Sequence, residues 1–146
     1  MKKVIQIVCC SLVIFAFGCQ KDEENQSGIE IRTSKTNYVV NAKIPVTIES
    51  HLKIQAAYFT CDNIDLRAEK ILKEENGAWV ENQNLVNCTQ MGPMGYFGIL
   101  NQSETKKDSI TLWNEVGKFK LRYRFVVDAD TLDFDSNEFT VNALED

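Results

Sequence analysis

The fold class is decided by the stretch Phe119-Lys-Leu-Arg-Tyr-Arg-Phe-Val-Val127, where apolar and basic side chains alternate over the first seven positions. Strict alternation is typical of a half-buried β-strand, because successive side chains point to opposite faces. The same strand extends back to Lys118, so the basic residues share one face. We expect that face to be solvated or paired with acids across the sheet: Lys118, Lys120, Arg122 and Arg124.

Other short segments on both sides of this stretch also have β character. Apolar residues recur in Ile44–Ile48, more loosely in Ile54–Phe59, and again in Phe139–Val141. Asn76-Gly77 and Asp128–Asp130 each separate two such runs and predict hairpin turns. The segment Ile64–Glu75 has helical propensity, but the Asn-Gly turn that follows favours a strand from about Glu69. The sequence therefore predicts an all-β domain over residues 29–146, an antiparallel β-sandwich of about seven strands.

The chain begins with the features of an export signal. Lys2 and Lys3 precede an apolar run of about 14 residues, which is short of the roughly 20 that a membrane-spanning helix needs. We therefore predict a signal peptide at residues 1–18 and a polar tether at residues 19–28.

The end of this signal resembles a bacterial lipobox, Ala16-Phe-Gly-Cys19, which implies cleavage before Cys19 and lipidation of that residue. The alternative is an ordinary secretory signal that ends near a cysteine. The next residues resemble the lipoprotein export tag of Bacteroidota, which implies a lipid-anchored protein on the outer face of the outer membrane: Gln20, Lys21, Asp22, Glu23 and Glu24. The alternative is a plain polar tether.

The domain behind the tether resembles bacterial Ig-like domains. The resemblance rests on Ser34–Tyr38 with Ile44–Ser50, on Glu69–Trp79 with its Gly-x-Trp, on Gly117–Phe125 and on Ser136–Val141. It implies an Ig-like sandwich and no particular activity, since such domains have many roles. Phe119 stands where many of these domains have the tyrosine of a tyrosine corner, so we expect no hydroxyl-to-backbone bond there.

Charge and cysteine content narrow the classes of partner and site. Without residues 1–18 the chain has 14 basic and 21 acidic residues, a net charge of −7, and its scattered cations predict no nucleic-acid binding. Cys61 and Cys88 remain as an even pair in an oxidising compartment, which predicts a disulfide, with two free thiols as the alternative. Two thiols and one histidine do not make a zinc site.

No catalytic set is recognisable in the sequence. His51 is the only histidine, and we expect it in a solvent-facing loop and not as a base. An acidic run offers the hard oxygen ligands that Ca²⁺ prefers, but it lacks the rhythm of an EF-hand, so a solvated hairpin is the favoured interpretation: Asp128, Asp130, Asp133, Asp135 and Glu138. We predict no metal and no cofactor.

Three further features bear on binding. A glycine-rich, apolar loop is the candidate binding loop, with folding back over the core as its alternative: Met91, Gly92, Pro93, Met94, Gly95, Tyr96 and Phe97. Trp79, Trp113 and Tyr96 could form a binding platform, although core positions are the more common use of such aromatics. Asp108-Ser-Ile110 and Asp130-Thr-Leu132 resemble the O-glycosylation sequon of Bacteroidota, which makes Ser109 and Thr131 candidate glycan sites.

These features together predict a non-catalytic, lipid-anchored surface module that binds a protein or glycan ligand or serves structural display. The alternative is a proteinase inhibitor acting through an exposed loop, since one bacterial inhibitor family shares the Ig-like fold. A hydrolase is disfavoured by the single His51.

Overall fold

The computed structural model describes residues 28–60, 66–84 and 96–144, which form eleven β-strands and no helix. Accordingly, no helix in these residues could span a membrane. The strands are β1 Ile29–Thr33, β2 Asn37–Val39, β3 Lys43–Ser50, β4 Ala56–Thr60, β5 Lys70–Glu75, β6 Ala78–Asn84, β7 Tyr96–Leu100, β8 Thr105–Thr111, β9 Gly117–Val127, β10 Asp130–Asp135 and β11 Phe139–Asn142.

The strands form two sheets that enclose one apolar core. The smaller sheet has the order β1-β3-β8 and is antiparallel throughout. The larger sheet follows the path β2-β11-β9-β4-β7, and β5, β6 and β10 join it beside that path. All its pairs are antiparallel except β2 with β11. The predicted all-β, Ig-like β-sandwich is confirmed.

Strand β9 is the centre of the larger sheet. Its alternation is the one that the sequence predicts, and every second residue is buried in the core: Phe119, Leu121, Tyr123, Phe125 and Val127. Its basic residues lie on the outer face. The buried face of β3 supplies much of the opposing side of the core through Ile44, Val46 and Ile48.

The sandwich has eleven strands but only about seven strand positions, because several positions are divided into two shorter strands. Both β4 and β5 lie along one edge of β9, whereas β10 and β11 lie along the other. Strands β6 and β7 in turn pair with β5 and β4. Since β1 and β2 are likewise two parts of one edge segment that changes sheet, the count agrees with the predicted number of about seven.

Both predicted hairpin turns are present. Asn76 and Gly77 join β5 to β6 with φ angles of 54° and 81°, and Asp128 and Ala129 join β9 to β10 with φ angles of 50° and 71°. Positive φ at both central residues matches the right-handed twist of the flanking strands. The segment before the Asn76-Gly77 turn, which has helical propensity, forms a strand as predicted, because β5 begins at Lys70.

Candidate functional site

An exposed apolar surface lies on the outer side of β4 and β7. Phe59, Phe97 and Ile99 point outward there, with exposed fractions of 45%, 66% and 47%. Ala57 is opposite Ile99 in the β4–β7 ladder and opposite Val126 in the β4–β9 ladder, and both Ala57 and Val126 are half-buried. We call these five residues the β4–β7 face.

The two phenylalanines form the centre of the β4–β7 face. Phe59 is paired with Phe97 across the strands, and the ring centroids are 5.9 Å apart at an interplanar angle of 80°. This edge-to-face arrangement is a favoured aromatic geometry. The two rings contact each other while much of their apolar surface stays exposed to solvent.

The backbone beneath this face is held against the core. Tyr58 points inward from β4 and covers Gly98 so closely that a Cβ atom on Gly98 would lie 2.1 Å from the tyrosine ring. Tyr58 in turn packs edge-on against Phe125, with centroids 6.2 Å apart. Glycine is therefore needed at position 98, and the residues on either side, Phe97 and Ile99, stand on a tightly packed strand.

Strand β7 is a sheet edge as far as the described residues show, because its one ladder there is with β4. It contains no charged residue. Within the predicted binding loop, Phe97 belongs to β7 and is exposed, and Tyr96 begins the same strand. Met91, Gly92, Pro93, Met94 and Gly95 lie outside the described residues.

The basic residues of β9 form the cross-strand-paired face that the sequence predicts. Arg122 donates two hydrogen bonds to Asp135 at 2.7 and 2.8 Å, and Arg124 pairs with both Asp133 and Glu69. Lys118 and Lys120 face Glu74 and Glu138 at 3.5 and 3.3 Å.

The same ion pairs involve residues of the acidic run that was considered as a calcium site. Its members Asp133 and Asp135 are held by arginines, and the hydrogen bond from Arg124 lowers the pKa of Asp133. Phe134, between them in sequence, packs against the core as the alternation predicts. The arrangement is that of a charged hairpin surface.

One buried polar contact joins the two sheets. The Tyr123 hydroxyl, on β9, donates a hydrogen bond of 2.7 Å to Asp108 on β8, and Ala68 donates its backbone N–H to the same carboxylate oxygen. Burial, together with the neighbouring carboxylate, raises the pKa of Tyr123 far above its ordinary value. The phenol is therefore kept protonated as the donor to Asp108.

The raised pKa of Tyr123 predicts a loss of stability in alkali. The folded state keeps a proton that the unfolded state loses above about pH 10, so the stabilisation is complete below that pH and falls by up to about 1.4 kcal/mol per pH unit above it. Urea unfolding at pH 8, 10 and 11 should show wild type and Tyr123→Phe converging as the pH rises. A constant difference between them would contradict this explanation.

A cluster of possible metal ligands lies on the outer face of the smaller sheet. Glu30, Glu49 and His51 each bring one donor atom within 4.8 Å of the others. Arg32, however, donates a hydrogen bond of 2.6 Å to Glu30, so a cation already neutralises that carboxylate. The cluster is exposed, and we assign no metal to it.

His51 itself is placed as the sequence predicts. Its side chain is 41% exposed just beyond the end of β3, and its Nε2 atom lies 3.6 Å from Glu30. Its backbone N–H continues the β1–β3 ladder by bonding to the Gly28 carbonyl at 2.8 Å. The position is that of a surface residue at a strand end.

The predicted core role of the two tryptophans is wrong. Trp113 is 72% exposed in the connection between β8 and β9. Trp79 is half-buried on the outer face of β6, where the Lys120 ammonium lies 4.4 Å from its ring centroid. Neither side chain belongs to the buried cluster.

The candidate glycan sites are both exposed. Ser109 lies on β8 and Thr131 on β10. Asp108, the first residue of one motif, is held by the contact with Tyr123, and its other oxygen accepts the Ser109 backbone N–H at 2.6 Å.

The remaining predicted sites lie outside the described residues: Cys19, Gln20, Lys21, Asp22, Glu23, Glu24, Cys61 and Cys88. The described strands end on either side of the two later cysteines. Thr60, directly before Cys61, is opposite Tyr96, and Lys70 is opposite Asn84.

Comparison with known proteins gives one distant structural similarity to report. No protein-family model and no curated protein matches the chain. The chain is similar to the ASH/PapD-like domain of human CEP192 (PapD-like domain 7), with 13% sequence identity, 82% of this chain and 87% of that chain covered, and a TM-score of 0.40. The sandwich itself is defined by the two sheets and their registers.

Proposed function

We propose that this chain is a non-catalytic binding module, anchored by lipid on Cys19 at the outer-membrane surface, that binds a protein through the β4–β7 face. The observation that carries the proposal is the exposed Phe59–Phe97 pair beside the edge strand β7. Fixed aromatic side chains are the commonest energetic centres of protein interfaces.

Two of the edge strands, β8 and β7, support this choice of surface by their contrast. Strand β8, which ends the smaller sheet, has the inward-pointing charges Lys106 and Asp108 and the outward Lys107. Charges of this kind prevent a sheet edge from pairing with another chain. Strand β7 has none of these protections, so the β4–β7 side is the one suited to a protein partner.

The absence of a catalytic role is inferred from the chemistry of the chain. A hydrolase of the Ser-His type needs a histidine held by an acid and adjacent to a nucleophile. The single histidine, His51, is exposed and faces Glu30 beside Arg32, on the outer side of the smaller sheet. This location is on the opposite sheet from the β4–β7 face.

The tether sets how far the module would stand from the membrane. Residues 19–28 lie between the proposed lipid site and the first strand, which begins at Ile29. Ten residues reach at most about 36 Å when fully extended. A mature lipoprotein with two or more acyl chains would be anchored stably, so the domain would stay close to the outer-membrane surface.

Lipidation predicts a clear consequence for Cys19→Ser. The wild-type protein should fractionate with membranes and incorporate labelled palmitate, whereas Cys19→Ser should lose the label because it has no thiol to acylate. Mass spectrometry of the mature N-terminus supplies the second readout. Equal labelling of both proteins would rule out the anchor at Cys19.

The binding surface predicts that a charge at its centre abolishes capture of the partner. Phe97→Asp should reduce the recovery of a specific outer-membrane protein at least tenfold, since a desolvated carboxylate is costly in an apolar interface. Leu144→Asp is the matched control, because Leu144 is 62% exposed and lies beyond β11. Equal recovery with Phe97→Asp and wild type would contradict the proposed surface.

The same protein preparation distinguishes a binding module from the alternative, a proteinase inhibitor. A screen against secreted proteases of the main classes should show no inhibition if the chain is a binding module. Inhibition of one protease that is lost in Phe97→Asp would replace the binding-module interpretation with that of an inhibitor.

A further inference from the structure

A second surface, on the opposite sheet, has a different character from the β4–β7 face. A groove of about 910 Å³ runs along β3 and β8 and is bordered by Arg67, Ala68 and Trp113. We call it the β3–β8 groove. Its volume is within the range of small-ligand sites.

Two lysines of the β3–β8 groove are unpaired among the residues that the structure describes. Lys43 and Lys107 both line it, and neither has an ion-pair partner in the described part of the chain. The basic residues of β9 are by contrast all paired with carboxylates.

One acidic residue, Asp108, lines the groove together with these lysines. One oxygen of Asp108 accepts hydrogen bonds from Tyr123 and Ala68, and the other accepts one from the Ser109 backbone. Its lone pairs are thus directed to partners within the protein. With Lys43 and Lys107 against Asp108, cationic side chains outnumber acidic ones in the groove, although the net charge of the chain is −5.

Trp113 supplies an aromatic wall on a fixed backbone. Leu112 before it is buried, with 2% exposed, and its carbonyl accepts the Asn41 N–H at 3.3 Å. Asn114 after it donates its N–H to the Asn41 side chain at 2.9 Å. The indole is thereby carried between two anchored residues while 72% of its surface is exposed.

Hydroxyl groups complete the lining. Thr47, Ser109 and Thr111 border the groove. In the ladder, Lys43 is opposite Thr111 and Lys107 is opposite Thr47, so the two ammonium groups leave the sheet about 13 Å apart along the strands. Positive charge at both ends, hydroxyls between them and an aromatic wall match a ligand longer than one sugar ring.

We propose that the β3–β8 groove binds a carboxylate-bearing oligosaccharide. The indole face of Trp113 would cover the apolar C–H face of a sugar ring, and Lys43 and Lys107 would pair with carboxylates on separate sugars. The hydroxyls of the lining would bond to sugar hydroxyls. This inference is independent of the protein-binding surface, which lies on the other sheet.

The experiment measures binding of galacturonic-acid trisaccharide by calorimetry, with its methyl ester as the neutral comparison. The ester should bind at least tenfold more weakly than the acid, and raising the NaCl concentration should weaken only binding of the acid. We expect Lys43→Gln and Lys107→Gln each to lose about fivefold in affinity and Trp113→Ala about tenfold.

The control variant is Lys53→Gln, because Lys53 is exposed and lies outside the groove. It should bind the acid as wild type does. Equal binding of acid and ester, an equal loss in Lys53→Gln, or equally tight binding of hexaglutamate would each overturn the proposal. Phe97→Asp should leave this binding unchanged, so failure here and failure of the protein-binding surface remain distinguishable.

Discussion

Replacement of Phe119 by alanine is expected to lower the free energy of unfolding by about 3–5 kcal/mol. Phe119 is fully buried in the middle of the larger sheet, between Lys73 of β5 and Phe139 of β11. Its ring stacks on Phe139 with centroids 6.0 Å apart. The alanine would leave a cavity where β9 holds both neighbouring strands, and the sheet could close it only in part.

Urea unfolding followed by far-ultraviolet circular dichroism measures this loss. Phe97→Ala is the matched control, because the same substitution at an exposed position should cost less than about 1 kcal/mol. A Phe119→Ala protein as stable as Phe97→Ala would show that β9 is not the centre of the core.

Removal of the predicted disulfide is expected to have an effect of similar size. Substitution of Cys61 or Cys88 by serine should lower the free energy of unfolding by about 3–4 kcal/mol in oxidising buffer, because the bridge restricts the unfolded chain. The prediction rests on the even pair of cysteines that remains in an oxidising compartment.

The two single variants and the double variant should be equally destabilised, and reduction of the wild type should match them. Thiol titration of the unfolded mature domain without Cys19 provides the direct count. Two reactive thiols before any reductant is added would contradict the disulfide, as would additive losses in the double variant.

The sequence predicted the sandwich correctly because local signals agreed with one another. The alternation in Phe119–Val127 placed each buried residue of β9, and both hairpin turns occur where Asn76-Gly77 and Asp128–Asp130 indicated. Such signals depend on neighbours along the chain. They are therefore readable without knowledge of the rest of the fold.

The features that the sequence could not predict depend on contacts between distant residues. The interruption between β4 and β5 is visible only once both segments are aligned on β9. The contact of Tyr123 with Asp108 likewise joins two sheets.

The exposed surfaces were missed for the same reason. Phe and Trp usually lie in a protein core. Phe59 and Trp113 are exposed because no element within the described structure covers them. One local signal was available for the β4–β7 face. In Ala56–Thr60 and Tyr96–Leu100 apolar residues occupy both faces of the strand. This pattern indicates that the outer face, like the inner one, is suited to burial against another surface.

Site-specific photocrosslinking on intact cells tests the proposed binding role most directly. A photoreactive amino acid at position 97 probes the centre of the β4–β7 face, and one at position 144 probes an equally exposed position away from it. We predict one discrete crosslinked protein from position 97 and none from position 144. No crosslink at position 97, or the same products from both positions, would contradict a protein-binding role for this face.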